Sequence, residues 1–206
     1  LDDWTEGKLD EERFMPIYAR NWSDVWLLYL DLFIFARDNK IPLIALNTPK
    51  SIFSRLKAGG PQALLESEVP PKISWKLNEA QTDYMKTISR QVFGHTPPAK
   101  FVDRLSEAQA LRNSGMAWNI VMYKQKHPFD KIVVLAGTWH AVKNGVPELL
   151  SAYGKFTCKV ILPELPELNL ETATVKEADY LIRGRDAGVS SYGNSFYYLQ
   201  KPSILF

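Results

Sequence analysis

The chain holds three histidines, and two of them fall where chemistry is expected. His140 comes just after the apolar, β-branched run Ile132-Val-Val-Leu-Ala136 and the glycine Gly137, and Gly145-Val-Pro147 then leads into Glu148-Leu-Leu150. Such a run suits a strand buried on both faces. Strand, glycine turn, polar side chain and helix start predict His140 at the carboxyl edge of a sheet, where open α/β sheets bind ligands. A turn histidine without a ligand is the plain alternative. His95 follows a predicted helix over Glu79 to Phe93 that carries Tyr84 and Met85. Two histidines and a tyrosine at one sheet edge offer imidazole and phenolate donors, suited to a metal or a haem iron. His127, in Lys126-His-Pro128, ends a helix, where stabilisation by the helix dipole suffices to explain it.

The helix that would face this edge is the longest periodic stretch, Phe101 to Lys126. Leu111, Trp118 and Val121 suit a core. Gln109, Arg112, Met116 and Asn119 share another face, which reads equally as a solvated stripe or as the wall of a site. Gly115 costs roughly 1 kcal/mol relative to alanine in a helix and predicts a close approach by another element.

Other chemistries have no motif here. The chain lacks a glycine-rich phosphate loop, a paired-histidine zinc motif and a Gly-x-Ser-x-Gly elbow. A net charge of +2, without charge blocks, gives no argument for nucleic acid as a partner. One cysteine, Cys158, excludes an intramolecular disulfide and sits in an apolar run that predicts a buried, inert thiol. No apolar run has the length of a membrane span; Val25 to Ala36 is too short and contains Asp31.

The positioning elements follow from periodicity. At 206 residues and 46% hydrophobic, the chain has the size of one ordinary domain with a substantial core. Leu1 to Arg20 has no clean period, and Pro16 would interrupt a helix outside its first turn. Ser23 caps a predicted helix reaching about Asn39, apolar nearly all round and so expected in the core. Lys40 to Asn47 reads as a second buried strand and Lys50 to Lys57 as a helix. Gly59 to Lys100 reads as an excursion above the sheet edge, stopped by Thr96-Pro-Pro98. Lys155 to Leu162, Ala178 to Ile182 and Ser195 to Leu199 are further strand candidates, with Arg183 to Gly188 a loop. The expected fold is α/β: a mainly parallel sheet flanked by helices, with a helical excursion over its carboxyl edge.

The segments Glu107-Ala-Gln-Ala-Leu-Arg-Asn-Ser-Gly-Met-Ala117, Ala136-Gly-Thr-Trp-His140 and Gly145-Val-Pro147 together resemble the ChaN family. These are bacterial haem-binding uptake proteins within the Tiki/TraB/erythromycin-esterase-like superfamily. Ile41-Pro-Leu-Ile-Ala-Leu-Asn47 is similar to the family's strand before its variable region, and Tyr84 and His95 fall where a tyrosine and a histidine often occur. The resemblance covers most of Trp22 to Pro147 and makes residues 1–206 a single domain with 59–100 as a helical excursion within it. Asn113 stands where the family usually has an acidic residue. The family's first strand, with its Gly-Glu-x-His motif, would precede Leu1, so a longer native product is expected.

The resemblance implies a haem-binding protein of bacterial haem and iron acquisition, more a carrier than an enzyme. Tyr84 and His95 would meet the iron, and Arg112 a propionate. Met116 and His140 would complete the site, and Trp75, Met85 and Trp139 would seat the macrocycle. A homodimer sandwiching haem, haem transport components as partners, and a periplasmic or outer-membrane lipoprotein are the further implications. The alternative within the superfamily is a metal-dependent hydrolase using His140 as ligand or base.

Overall fold

A computed structural model describes residues 1–22, 26–94, 98–165, 168, 171 and 173–182, with backbone only at 88–89 and 91–93. It is helix-rich and falls into two compact units. Among the described residues one unit is Leu1–Ala45; the other runs from Leu46 onward. The strand candidate Ser195–Leu199, the loop Arg183–Gly188, Ser23 and His95 lie outside the described residues.

The first unit contains α1 (Asp2–Thr5), α2 (Glu11–Asn21), a 3-10 turn at Trp26–Leu28 and α3 (Leu30–Asp38). Asp10 caps α2 by accepting a hydrogen bond from Arg13 N at 2.9 Å. The helix continues through Pro16, against the sequence expectation. Its apolar face explains why. Phe14 and Tyr18 are buried against Trp4 and Trp26, Phe14 stacking on Trp4 at 4.4 Å, and this aromatic burial outweighs a lost backbone hydrogen bond. Trp4 Nε1 donates to Phe33 O and Trp26 Nε1 to Glu11 Oε1, each at 2.8 Å. The expectation of one helix from Ser23 to about Asn39, buried all round, is corrected. On α3 only Ala36 is buried and Phe35 is 60% exposed, and Leu27 of the 3-10 turn is 73% exposed.

The second unit holds α4 (Lys50–Gly59), α5 (Glu79–Phe93), α6 (Ala99–Lys126), α7 (Thr138–Ala141) and α8 (Val146–Leu150). Its first core packs α6 on α8 through Met116, Ala117, Ile120, Val121, Val146 and Leu150. The second core gathers Val142, Val160, Leu162 and Ala178, with the ring of Tyr84 packed against it. Gly115 does allow the expected close approach. A Cβ there would stand 2.6 Å from Thr48 Oγ1, so the Thr48 side chain packs directly on the α6 backbone. Asn119 Nδ2 donates to Leu46 O at 2.8 Å and strengthens the same contact.

The described sheet is much smaller than expected. It has two parallel strands, β1 (Ile161–Pro163) and β2 (Tyr180–Ile182), with Leu162 opposite Leu181. Asp179 clips them together by accepting from Val160 N at 2.8 Å and pairing with Lys143 and Lys159. Lys40–Asn47 and Ile132–Ala136 are not strands. Residues 132–136 make no backbone–backbone hydrogen bond to any described residue, and Val133 is 94% exposed. Their composition fits a buried strand, but a ladder also needs a neighbour at hydrogen-bonding distance. Cys158 is likewise exposed rather than buried.

Candidate functional site

The site grows from two elements of the second unit, α6 and the tight turn around α7. Gly137 caps α7, and His140 N closes its first turn on Gly137 O at 2.8 Å. Gly145 is required at the exit, because a Cβ there would fall 2.5 Å from His140 O and 3.0 Å from Val142 O. Pro147 then sits in the first turn of α8, where its missing N–H costs little. The Gly-x-x-His and Gly-x-Pro pattern is therefore a device that sinks one histidine beneath α6. His140 is 6% exposed.

Its ring meets amides. His140 Nδ1 lies 2.6 Å from Asn113 Oδ1, and Gln109 Nε2 lies 3.1 Å from the same nitrogen. Gln109 Nε2 also reaches Asn113 Oδ1 at 3.3 Å and Trp139 O at 3.2 Å. Gln109 and Asn113 are themselves buried. Burial, and then the positive charge of Arg112, push the His140 pKa down to about 3, so the ring is neutral at physiological pH. Arg112 is held by Asn47, its Nε donating to Oδ1 at 3.2 Å, and burial pushes its own pKa down. It makes no ion pair with any described residue.

Gln109 and Asn113 also line a small, partly open cavity of about 20 Å³, room for roughly one water. Tyr84 and Met85 from α5 and Trp139 and Asn144 from the α7 turn close it. Tyr84 Oη is buried. Asn144 Oδ1 is buried without a hydrogen-bond partner among the described residues. The structure thus brings Tyr84, Met85, Trp139 and His140 to one place, with Gln109 and Asn113 as the shared wall. Met116 points into the α6–α8 core, and neither it nor Trp75 lines the cavity. Gln109, on the face read as either a solvated stripe or a site wall, lies beside His140, whereas the sequence reading does not single out Asn113 as a partner of His140. Its position four residues after Gln109 on the same helix was the available signal. Among the described residues no group of three or more His, Cys, Asp or Glu is placed to hold a metal ion.

The arrangement defines a helix-rich protein whose buried, neutral polar network backs a tyrosine-lined cavity, with Arg112 close to His140. Residues 1–150 match the family model described as haem-binding uptake, Tiki superfamily, ChaN, and the chain belongs to that family. No curated protein and no solved structure matches it.

The residues fit haem in chemistry and only partly in space. A phenol, a thioether and a guanidinium without an ion pair among the described residues are the donors and cation that a ferric porphyrin with its carboxylates calls for. A cavity of about 20 Å³ does not admit the macrocycle.

Proposed function

We propose that this protein binds haem in bacterial iron acquisition, with Tyr84 as the iron ligand. His95 is the second candidate donor. Haem supplies a Lewis-acidic ferric ion and two carboxylates. Tyr84 offers a hard oxygen donor, its ring fixed by packing on the Val142 and Val160 core. Arg112 receives a carboxylate, and His140, held neutral, supports the site through Gln109 and Asn113. The observation that carries this reading, beside family membership, is Arg112. Arg112 is half-buried, its charge partly stripped of water, and among the described residues its side chain meets the amide of Asn47 and no carboxylate, so an arriving anion would stabilise it.

The finer reading goes with it. The protein works as a homodimer in the periplasm or on the outer membrane as a lipoprotein, passing haem to transport components. Residues 59–100 are a helical excursion of the second unit.

The test is a haem titration of the full chain followed by visible absorption, with Tyr84→Phe and Arg112→Gln beside it. A saturable Soret shift with a high-spin, tyrosinate-like spectrum that Tyr84→Phe abolishes is the expected outcome. Retention of that spectrum in Tyr84→Phe moves the ligand to His95. Absence of saturable binding by the unaltered chain overturns the reading. Arg112→Gln is expected to weaken binding about tenfold or more, the usual scale for a charge-assisted contact.

A further inference from the structure

The two long helices of the site differ in how they are held. Among the described side chains of α5 only Met85 is buried, whereas α6 buries most of the run from Gln109 to Val121. Met85 joins none of the three apolar clusters of the described residues; Ser106 Oγ donates to its Sδ at 3.9 Å. Tyr84 sets its ring against the Val142 and Val160 core. Polar contacts fasten the N-terminal end of the helix. Asn78 Nδ2 donates to Glu148 Oε2 at 3.0 Å, and Gln81 Nε2 donates to Asn144 O. The same two side chains form the capping box of α5, so one pair of amides both starts the helix and ties it to α8 and the turn before it.

Beneath this end the packing is incomplete. Gln81, Tyr84 and Met85 line the cavity of about 20 Å³ from α5, and Gln109 and Asn113 line it from α6. Asn144, also in the lining, keeps its buried Oδ1 without a hydrogen-bond partner among the described residues. An acceptor withheld from water costs free energy, and lifting α5 relieves that cost. A segment with few buried apolar contacts opens locally, well below the free energy of global unfolding.

We propose that α5 is a lid, latched at its N-terminal end by Gln81 and Asn78, that lifts from α6 while the rest of the second unit stays folded. Lifting uncovers Gln109, Asn113 and Trp139 and carries Tyr84 clear of the cavity. The closed form has room for about one water, and the lifted form presents the same wall to a much larger molecule. Only the identity of that molecule rests on the haem reading; the lid is a property of the haem-free chain.

The four methionines of the chain provide the test. Met15 and Met122 are exposed, at 45% and 37%; Met116 is 7% exposed in the α6–α8 core, and Met85 is 3% exposed under the lid. Static exposure therefore ranks Met85 slowest to oxidise, and a lifting helix ranks it well ahead of Met116. The haem-free full chain is treated with tert-butyl hydroperoxide, too bulky to enter closed packing, and each sulfoxide is followed by peptide mass spectrometry. Gln81→Ala is run beside it, with circular dichroism to confirm that it is folded. The expected result is oxidation of Met85 faster than Met116 by about tenfold or more. In Gln81→Ala, Met85 alone should speed up again by about threefold or more, the scale of one hydrogen bond. A smaller lead of Met85 over Met116, or an acceleration in Gln81→Ala that is absent or shared with Met116, overturns the lid. Because no haem enters this experiment, a failed Soret titration leaves the lid standing, and a failed lid leaves the Soret result standing.

Discussion

At the scale of single residues, the contact between His140 and Asn113 fixes a proton. Gln109 spends its amide hydrogens on Trp139 O and Asn113 Oδ1, so His140 Nδ1 has only the Asn113 oxygen, 2.6 Å away, to satisfy. That nitrogen therefore carries the hydrogen, and the lone pair resides on Nε2. Long-range ¹H–¹⁵N correlation spectra should show the Nδ1–H tautomer for His140 and lose it in Asn113→Ala. Finding Nε2–H in the unaltered protein would sink the assignment. The low pKa also sets a pH dependence. The folded ring titrates near 3 and an unfolded one near 6.5, so below 6.5 the unfolded chain binds a proton that the folded chain refuses. Stability from this group is full above about pH 6.5 and falls as pH drops toward 3. Asn113→Asp places a carboxylate at 2.6 Å and should raise the His140 pKa by favouring its charged form, which imidazole chemical shifts against pH would read. Little of this network is legible in the sequence. A histidine behind a glycine turn announces itself, but its partner is an amide on another helix, and no local pattern encodes that pairing.

Elements were legible in proportion to how far local interactions decide them. The helices α5 and α6 are where cap chemistry and periodicity put them: Asn78 accepts from Gln81 N at 2.8 Å, and Gly94 ends α5 with a positive φ of 72°. The apolar runs read as strands because composition records a preference for burial. It does not record whether a neighbouring strand is there. Residues 132–136 make no backbone hydrogen bond to any described residue, and Val133, Val134 and Leu135 are exposed. An unpaired apolar edge of this kind exchanges its amides fast and invites association between chains. Hydrogen exchange of residues 132–136 should be close to that of an unstructured peptide, and Val133→Lys should reduce self-association in analytical ultracentrifugation without lowering the melting temperature. Slow exchange at these amides would show that they have ladder partners. The Gly115 contact gives a second expectation. Alanine there gains roughly 1 kcal/mol in helix propensity, but its Cβ meets Thr48 Oγ1 at 2.6 Å, and overpacking of that kind costs about 1–3 kcal/mol. Net destabilisation should appear in Gly115→Ala by urea unfolding and be relieved by adding Thr48→Ala.

For the whole molecule, composition correctly gave a globular chain with a substantial core but not its division, because hydrophobic content says nothing about how many clusters share it. The first unit closes on aromatic rings: Trp4 and Phe14 are nearly inaccessible, and Tyr18 and Trp26 pack edge-on at 4.8 Å. The second closes on aliphatic side chains of α6, α8 and β1. Every residue of the cavity and of the His140 network belongs to the second unit. Two cores of different chemistry predict separable responses to damage. Phe14→Ala removes a ring that is 2% exposed, a loss of about 3–5 kcal/mol, comparable with the whole stability of a small unit. Amide protection should then fall across residues 11–38 while it persists across 109–121 of α6, and the Soret titration should give the same affinity as the unaltered chain. Bound haem should in turn raise the stability of the second unit by about 2.7 kcal/mol at a hundredfold excess over Kd, and leave exchange in the first unit unchanged. If protection is lost in both stretches together and haem affinity falls with it, the two cores fold as one cooperative body, and the site depends on aromatic packing that none of its own residues touches.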